Sequence, residues 1–376
     1  MEQRTASADQ LNELAQVLRE YLSDKNAYRE KALNYLYTHP ELIAASSLIT
    51  PFDAEQWLTL FNNCYEPLEN KARELKIDKP LHAECFTLYI PLALHIAQRR
   101  MDILDSQAHA PIIGINGGQG SGKTTLNYLL QIVLKEAFGL HAVGVSIDDF
   151  YKTYADRHAI AGSIHPLFAT RSVAGTHDTS LAINTLKMLR SLSSGECSIP
   201  RFDKSLFHGE GDRLPESEWT TTQAPVDVVL FEGWFVAAEP QTEDELKQPI
   251  NDREREEDPD GIWRKTLNHH LATDYAALFD LLDELIVIQV GGMETIYRNR
   301  ELQEQKLRDA TKDNADGAGA MSPEAVIRFI ALYERTTRNM LETLPNRARI
   351  VMNLGDHHRI ESVRVNPPSK KLRGFN

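Results

Sequence analysis

The run Gly117-Gly118-Gln119-Gly120-Ser121-Gly122-Lys123-Thr124 constrains this chain more than any other stretch. It fits G-x-x-x-x-G-K-[ST], a glycine-rich turn that cradles phosphate groups. Before it lies Pro111-Ile112-Ile113-Gly114-Ile115-Asn116, a short apolar run of the kind that forms a buried parallel strand. After it, Leu126, Leu129, Leu130, Val133, Leu134 and Ala137 fall on one face of a helix, and Gly139 sits where a C′ glycine belongs. Strand, turn and helix therefore occur in the order such a loop needs. Glycines let successive N–H groups converge on one centre, and the helix N-terminus adds positive potential there.

Gly117 through Thr125 are thus the expected contacts of ATP. In a loop of this kind Lys123 reaches the β- and γ-phosphates, and Thr124 places its hydroxyl on the bridging Mg²⁺. The net charge of −13 argues against nucleic acid or an anionic membrane as partner, since both need a basic face. Cys64, Cys85 and Cys197 are odd in number and form no C-x-x-C pair, so neither a zinc site nor a disulfide framework is indicated. A reducing, cytoplasmic setting fits that usage. Met1-Glu2-Gln3-Arg4-Thr5 lacks the build of a signal peptide, and the apolar run Cys85–Ile96 is too short to span a bilayer.

The chain divides at about residue 107. Residues 1–107 read as an all-helical N-terminal lobe of four to six helices, opening with the stripe Leu11, Leu14, Ala15, Leu18, Tyr21, Leu22. Pro40, Pro51, Pro67, Pro80 and Pro91 are expected to end or kink helices there. His39, His82 and His95 are isolated and read as structural. The lobe is expected to serve packing or homo-oligomerisation. From 108 to 376, apolar runs at 112–116, 142–147, 226–231, 284–290 and 348–354 alternate with helical segments. That pattern is α/β: a parallel sheet with helices on both faces and ligands at the carboxyl ends of the strands. Residues 239–260 hold ten Asp or Glu against three Lys or Arg, which predicts an exposed, mobile insertion. A lid is expected at 291–322, where 312–322 read as a flexible loop.

Polar clusters follow the strands. In Ser146-Ile147-Asp148-Asp149-Phe150-Tyr151, alternation along a strand predicts that only one carboxylate faces the phosphates. Asp148 is the expected one, accepting a proton from a hydroxyl. Glu232, after the run 226–231, has the place of an acid supporting the metal shell, with pairing to lysine as the competing role. Arg171 has the planar fork suited to carboxylate or phosphate, whereas His177 and Asp178 read equally as helix caps. Arg201 and Lys204 flank Asp203 in a loop where a surface salt bridge is as good a reading as function. Arg298, Arg300 and Arg308 lie on the helix after the run 284–290, placed to close over a transferring phosphoryl group.

Taken together, Gly117–Thr125, Asp148-Asp149-Phe150-Tyr151, Gly175-Thr176-His177-Asp178, Pro200–Ser205 and Phe231-Glu232-Gly233-Trp234-Phe235 resemble the glycerate 3-kinase branch of the P-loop kinases. Phosphoribulokinase, uridine kinase and pantothenate kinase are its relatives. The resemblance covers about residues 108–360. It implies transfer of the γ-phosphoryl group of ATP to a small-molecule hydroxyl, D-glycerate in this branch. Lys123, Asp148 and Arg298 would then be catalytic. Asp148, Tyr151, Arg171, His177, Arg201 and Lys204 would line the acceptor, and Thr124 and Glu232 would serve the metal. Ser172 and Ala174 stand where the family loop has glycine and proline. Two other readings remain at this stage: the same chemistry on pantothenate, a nucleoside or a sugar phosphate, and a nucleotide-dependent regulator without catalysis.

Overall fold

The five apolar runs form the parallel core of one sheet. The computed structural model describes residues 2–4, 8–39, 54–107, 109–311, 321–355 and 359–368, without the side chains of 2–4, 8, 106, 107, 303 and 306–311. In chain order the strands are β1 (Glu2–Arg4), β2 (Ile112–Gly117), β3 (Ala142–Ser146), β4 (Glu196–Ile199), β5 (Phe202–Asp203), β6 (Asp212–Arg213), β7 (Thr220–Gln223), β8 (Val228–Gly233), β9 (Glu284–Val290), β10 (Ile350–Leu354) and β11 (Ile360–Val365). The main sheet has the order β1-β11-β10-β9-β2-β8-β3. Its members from β10 to β3 are parallel, and β11 and β1 add on antiparallel at one edge. Every residue of β2 and β8 is buried, which is why these strands read as continuous apolar runs without alternation.

That order positions the site. The chain leaves β2 toward β3 on one side and later returns through β9 on the other. The carboxyl end of β2 is therefore a switch point, where adjacent connections diverge and leave a crevice. The helix Lys123–Phe138 starts there, behind Gly122 in the left-handed region, and ends at Gly139 in the same region. β4 with β7, and β5 with β6, form two small antiparallel ribbons beside the β3 edge.

The N-terminal helices Ala8–Ser23, Lys25–Thr38 and Ala54–Glu74 precede a short turn of helix at His82–Glu84. It runs through a π turn, Cys85–Tyr89, into Ile90–Gln107. Their buried side chains, among them Leu14, Phe61, Phe86 and Ile96, belong to one continuous core with those of the sheet. Pro67 lies inside the helix Ala54–Glu74 instead of ending it. The buried Trp57, Phe61, Cys64 and Leu68 hold that helix through packing, which outweighs one lost backbone bond. Pro40 and Pro51 fall outside the described residues. Cys64 and Cys85, distant in sequence, bring their sulfurs to 3.8 Å as buried free thiols. His95 is structural as expected: it pairs with the buried Glu284 of β9.

Most acidic residues of the segment 239–260 are exposed, as expected, but two are buried. Glu254 and Asp258 are each 1% exposed. Arg335 grips Glu254 through two bonds, Nε to Oε1 at 2.7 Å and Nη2 to Oε2 at 2.6 Å, and also donates to the carbonyls of Glu245 and Gln248. Arg264 holds Asp258 through Nη1, which donates to Oδ2 at 2.9 Å and to the Asp258 carbonyl at 2.6 Å. Composition gave no sign of these two anchors because both arginines lie later in the chain. Breaking such a pair from one side strands a buried charge. Arg335→Met is expected to lower unfolding free energy in urea by about 3–5 kcal/mol. Adding Glu254→Leu should recover most of that loss. A single variant as stable as the parent would show the pair to be idle.

Candidate active site

The turn after β2 curls because Gly120 and Gly122 take φ of 73° and 88°, a region that side chains with a Cβ avoid. Lys123 folds back over it and donates to the Gly118 carbonyl at 3.0 Å. Desolvation lowers the pKa of this ammonium; Glu232 and Asp148 pull the other way. The Thr124 hydroxyl donates to Glu232 Oε1 at 3.0 Å. Glu232 sits inside β8, not after it, paired in register between Ile115 of β2 and Ser146 of β3. Burial raises its pKa, and the nearby Asp148 adds to this, while Lys123 and the Thr124 hydroxyl oppose it. Ser121 Oγ is buried with no hydrogen-bond partner among the described residues, and the Tyr333 hydroxyl donates to Gln119 Oε1 at 3.2 Å. This donor set suits a phosphate chain: backbone N–H groups at a helix start, an ammonium, and a threonine hydroxyl backed by a carboxylate. Among the described residues no cluster of three or more His, Cys, Asp or Glu could hold a metal by itself. A magnesium ion here would take Thr124 directly and the carboxylates through water, as that ion prefers beside phosphates.

The two aspartates are separated for a different reason than expected. Ile147–Phe150 is a 3₁₀ turn, not strand, and the Ser146 hydroxyl caps it by accepting from the Asp148 N–H. Lys204 donates to Asp148 Oδ2 at 2.7 Å, and Arg201 donates to Asp149 Oδ2 at 2.6 Å. The Pro200–Ser205 loop thus supplies one cation to each carboxylate, Lys204 from the solvent side and Arg201 from a half-buried position. Burial would raise the Asp148 pKa, but Lys204, helped by Lys123, outweighs it and holds the group below its usual value. For Asp149 burial wins over Arg201, and its pKa is raised.

His177 is not a helix cap. Asp178 is, accepting from the Leu181 N–H at 3.0 Å. The His177 ring is buried, stacked on Tyr151 at 4.1 Å, with Nδ1 2.7 Å from the Tyr275 hydroxyl. That hydroxyl already accepts from the N–H groups of Gly175 and His177, at 3.1 and 3.3 Å. Two lone pairs are thus used, so the phenol proton goes to Nδ1. Desolvation drives the imidazole pKa down to about 3, so the ring is neutral and carries its proton on Nε2. Nε2 has no hydrogen-bond partner among the described residues.

Sequence reasoning missed Tyr275 and Arg157; Arg213 belongs to a stretch, Gly211-Asp212-Arg213, that also resembles the family but had no role assigned. Arg157 is fully buried without a carboxylate and donates to the carbonyls of Lys152, Ala169, Glu210 and Gly211. It ties together the segments that carry Arg171, Tyr151 and Lys204. Arg213 links the Tyr151 carbonyl to Asp178. Arg171 donates to the Gly209 carbonyl. The only sequence signal for Arg157 was a cation on a helix otherwise readable as surface. On the helix Met293–Thr311, Arg298 is exposed, and Arg300 pairs with Glu304 over the Phe329 ring. The side chain of Arg308 and the loop 312–320 lie outside the described residues.

No family model matches the chain. It is 32% identical over 281 residues to the chloroplastic D-glycerate 3-kinase of Arabidopsis thaliana, a match covering 72% of this chain and 58% of that protein. The chain thus spans a little over half the length of that relative. It is 35% identical over 245 residues to an uncharacterized kinase of Schizosaccharomyces pombe, covering 64% of this chain and 84% of the other. Its fold is similar to that of the D-glycerate 3-kinase of Cryptococcus neoformans, with a TM-score of 0.63 at 26% identity, over 74% of this chain and 99% of that one.

The hydrogen-bond count around Tyr275 fixes one measurable state. Long-range ¹⁵N–¹H correlation spectra should show His177 as the Nε2–H tautomer from about pH 5 to 8. Tyr275→Phe should mix the tautomers. A dominant Nδ1–H signal in the parent protein would refute the assignment.

Proposed function

The chain belongs to the glycerate 3-kinase-like branch of the P-loop kinases, and from that premise we propose that it transfers the γ-phosphoryl group of ATP to a hydroxyl of D-glycerate. The observation that carries this reading is the placement of Asp148 and Lys204 beside the Lys123–Thr124–Glu232 cluster. Kinase chemistry needs little covalent help from the protein. It needs the reacting groups positioned and the developing charge met by fixed opposite charge.

Each residue has a role under this reading. Lys123 and the turn Gly117–Thr125 hold the triphosphate. Thr124, backed by Glu232, would hold a magnesium ion, which would neutralise charge on the phosphate oxygens. Asp148 orients the acceptor hydroxyl and accepts its proton. Lys204, Arg201 and Arg171 supply the cations that a small carboxylate acceptor requires, and Nε2–H of His177 offers it a neutral donor. Arg298 and Arg300 belong to the segment that closes over the site. A sugar phosphate would call for more cations than these.

Lys204 pairs with Asp148, and this gives the acceptor carboxylate a second effect. An arriving carboxylate competes for Lys204. As the ammonium turns toward it, Asp148 loses the partner that holds its pKa down and becomes a better base. Proton acceptance is thereby coupled to occupancy by an acidic acceptor.

Coupled ADP release with D-glycerate should fall by about 10²–10⁴-fold in Asp148→Asn, with magnesium nucleotide binding retained. An active Asp148→Asn enzyme would remove this residue from the role. In the parent, the acid limb of the kcat/KM profile should lie below the usual carboxylate range. Lys204→Met should move it to higher pH, since burial then acts on Asp148 with less opposition. A limb that stays put or moves lower would contradict the coupling. Release of ADP with pantothenate or a nucleoside, and none with glycerate, would reassign the acceptor.

A further inference from the structure

The loop that carries Lys204 joins β5 to β6, and its two ends are fastened unequally. At the β6 end Arg157 donates to the carbonyls of Glu210 and Gly211, each at 2.8 Å, and Arg171 donates to that of Gly209. His158 Nε2 lies 2.9 Å from Glu210 Oε2, and Asp212 Oδ1 accepts from the Tyr154 N–H at 2.8 Å. At the β5 end Asp203 Oδ1 accepts from the N–H and hydroxyl of Ser205, which are bonds within the loop. Between Lys204 and His208, among the described residues, the hydrogen-bonding and ring contacts that reach the rest of the protein are the Lys204 ammonium on Asp148 and the Phe207 ring on Tyr154.

The ring contact is kept against a backbone cost. Phe207 and His208 take φ of 50° and 55°, in the left-handed region that side chains with a Cβ avoid. Two such residues in succession persist only where their surroundings hold them. The turn closes on itself, since the Gly211 N–H donates back to the Leu206 carbonyl at 2.8 Å. The Phe207 ring then lies flat on Tyr154, with centroids 4.2 Å and planes 9° apart, although Phe207 is half exposed. Tyr154 is fixed independently of that turn. It opens the helix Tyr154–Ser163, its N–H is tied to Asp212, and the His158 ring lies 4.1 Å from its own.

We infer that Phe207 is a positioning residue: its stack on Tyr154 fixes the turn 204–208 in the conformation that presents Lys204 to Asp148 and to the acceptor. This rests on the kinase reading and deepens it. The Lys204 side chain is long and exposed. An exposed ion pair loses entropy in holding such a chain in one place, so it contributes little unless the backbone beneath is held by something else. Phe207 supplies that hold from within the same turn.

The charges around Asp148 give the consequence its sign. Asp148 faces Lys204 from the loop, Lys123 from the helix Lys123–Phe138, Glu232 from β8, and Asp149 and Tyr151 from its own segment, with the neutral His177 ring stacked on Tyr151. Without Lys204, burial, Glu232 and Asp149 favour the protonated acid, against Lys123 and the Tyr151 hydroxyl. The acid limb of the kcat/KM profile then moves to higher pH, the direction expected of Lys204→Met.

The test separates ring from backbone. Phe207→Gly removes the ring and relieves the strain, whereas Phe207→Tyr keeps the ring. Phe207→Gly is expected to raise the KM for D-glycerate by about fivefold or more, to leave that for ATP within about twofold, and to move the acid limb up, with unchanged circular dichroism. Phe207→Tyr should behave as the parent. In a Lys204→Met background, Phe207→Gly should change neither the glycerate KM nor the limb further. Parent-like glycerate KM and limb in folded Phe207→Gly overturn the inference. So does a full further loss in the Lys204→Met background, because Phe207 would then act elsewhere. Should Phe207→Gly unfold, Tyr154→Leu removes the stack from the other side and decides by the same readouts. A parent enzyme that turns over no glycerate overturns the acceptor reading, and ¹³C titration of the Asp148 carboxyl group, which needs no acceptor, then decides this inference. A higher titration in Phe207→Gly than in the parent sustains it, and an unmoved one overturns it.

Discussion

Four charged groups meet at one corner, with Glu232 buried, Lys123 and Asp148 half-buried and Lys204 at the solvent edge, and the rest of the structure is arranged to hold them there. Lys123, Glu232, Asp148 and Lys204 each act on at least one of the others there. An isolated ion in such a place would neutralise itself by shifting its pKa. Here every charge is answered by an opposite one, and each carboxylate is also hydrogen-bonded. Fixed charges in a poorly solvated corner act on a ligand more strongly than the same charges in water. The parallel sheet provides the corner. β2, β8 and β3 end side by side, so residues far apart in sequence reach one point.

The walls of that corner are loops, and loops need holding. Arg157 does this with four backbone carbonyls and no carboxylate, an unusual use of a buried cation. Its five donors in a rigid fork allow one side chain to fix several segments at once. Tyr275 plays the matching part on the other side, gathering two N–H groups and the His177 ring. Neither residue carries charge to a phosphate. Both determine where those that do are held.

Outside the corner the chain is stiffened by burying what looks like surface. Glu254 and Asp258 are enclosed by Arg335 and Arg264, so an acidic segment becomes part of the frame beside the helix Glu334–Arg347. The N-terminal helices share the sheet's core, and β1 pairs with β11 at its edge. No helix among the described residues is long and apolar enough to cross a membrane.

Sequence alone determined the local units. The apolar runs, the glycine turn and the helix after it are each defined by residues within a few positions of one another, because strand burial, φ above zero and helical periodicity are local constraints. It also singled out Lys123, Thr124, Asp148, Glu232, Arg201 and Lys204, since each sits in a dense polar motif. Tertiary structure decided which charge meets which. The pairing of Lys204 with Asp148, of Arg335 with Glu254, and of Tyr275 with His177 spans 56, 81 and 98 positions. No short window contains both partners. Whether an acidic stretch faces water or a guanidinium, and whether a histidine caps a helix or lies under a tyrosine, depends on what the sheet brings alongside it.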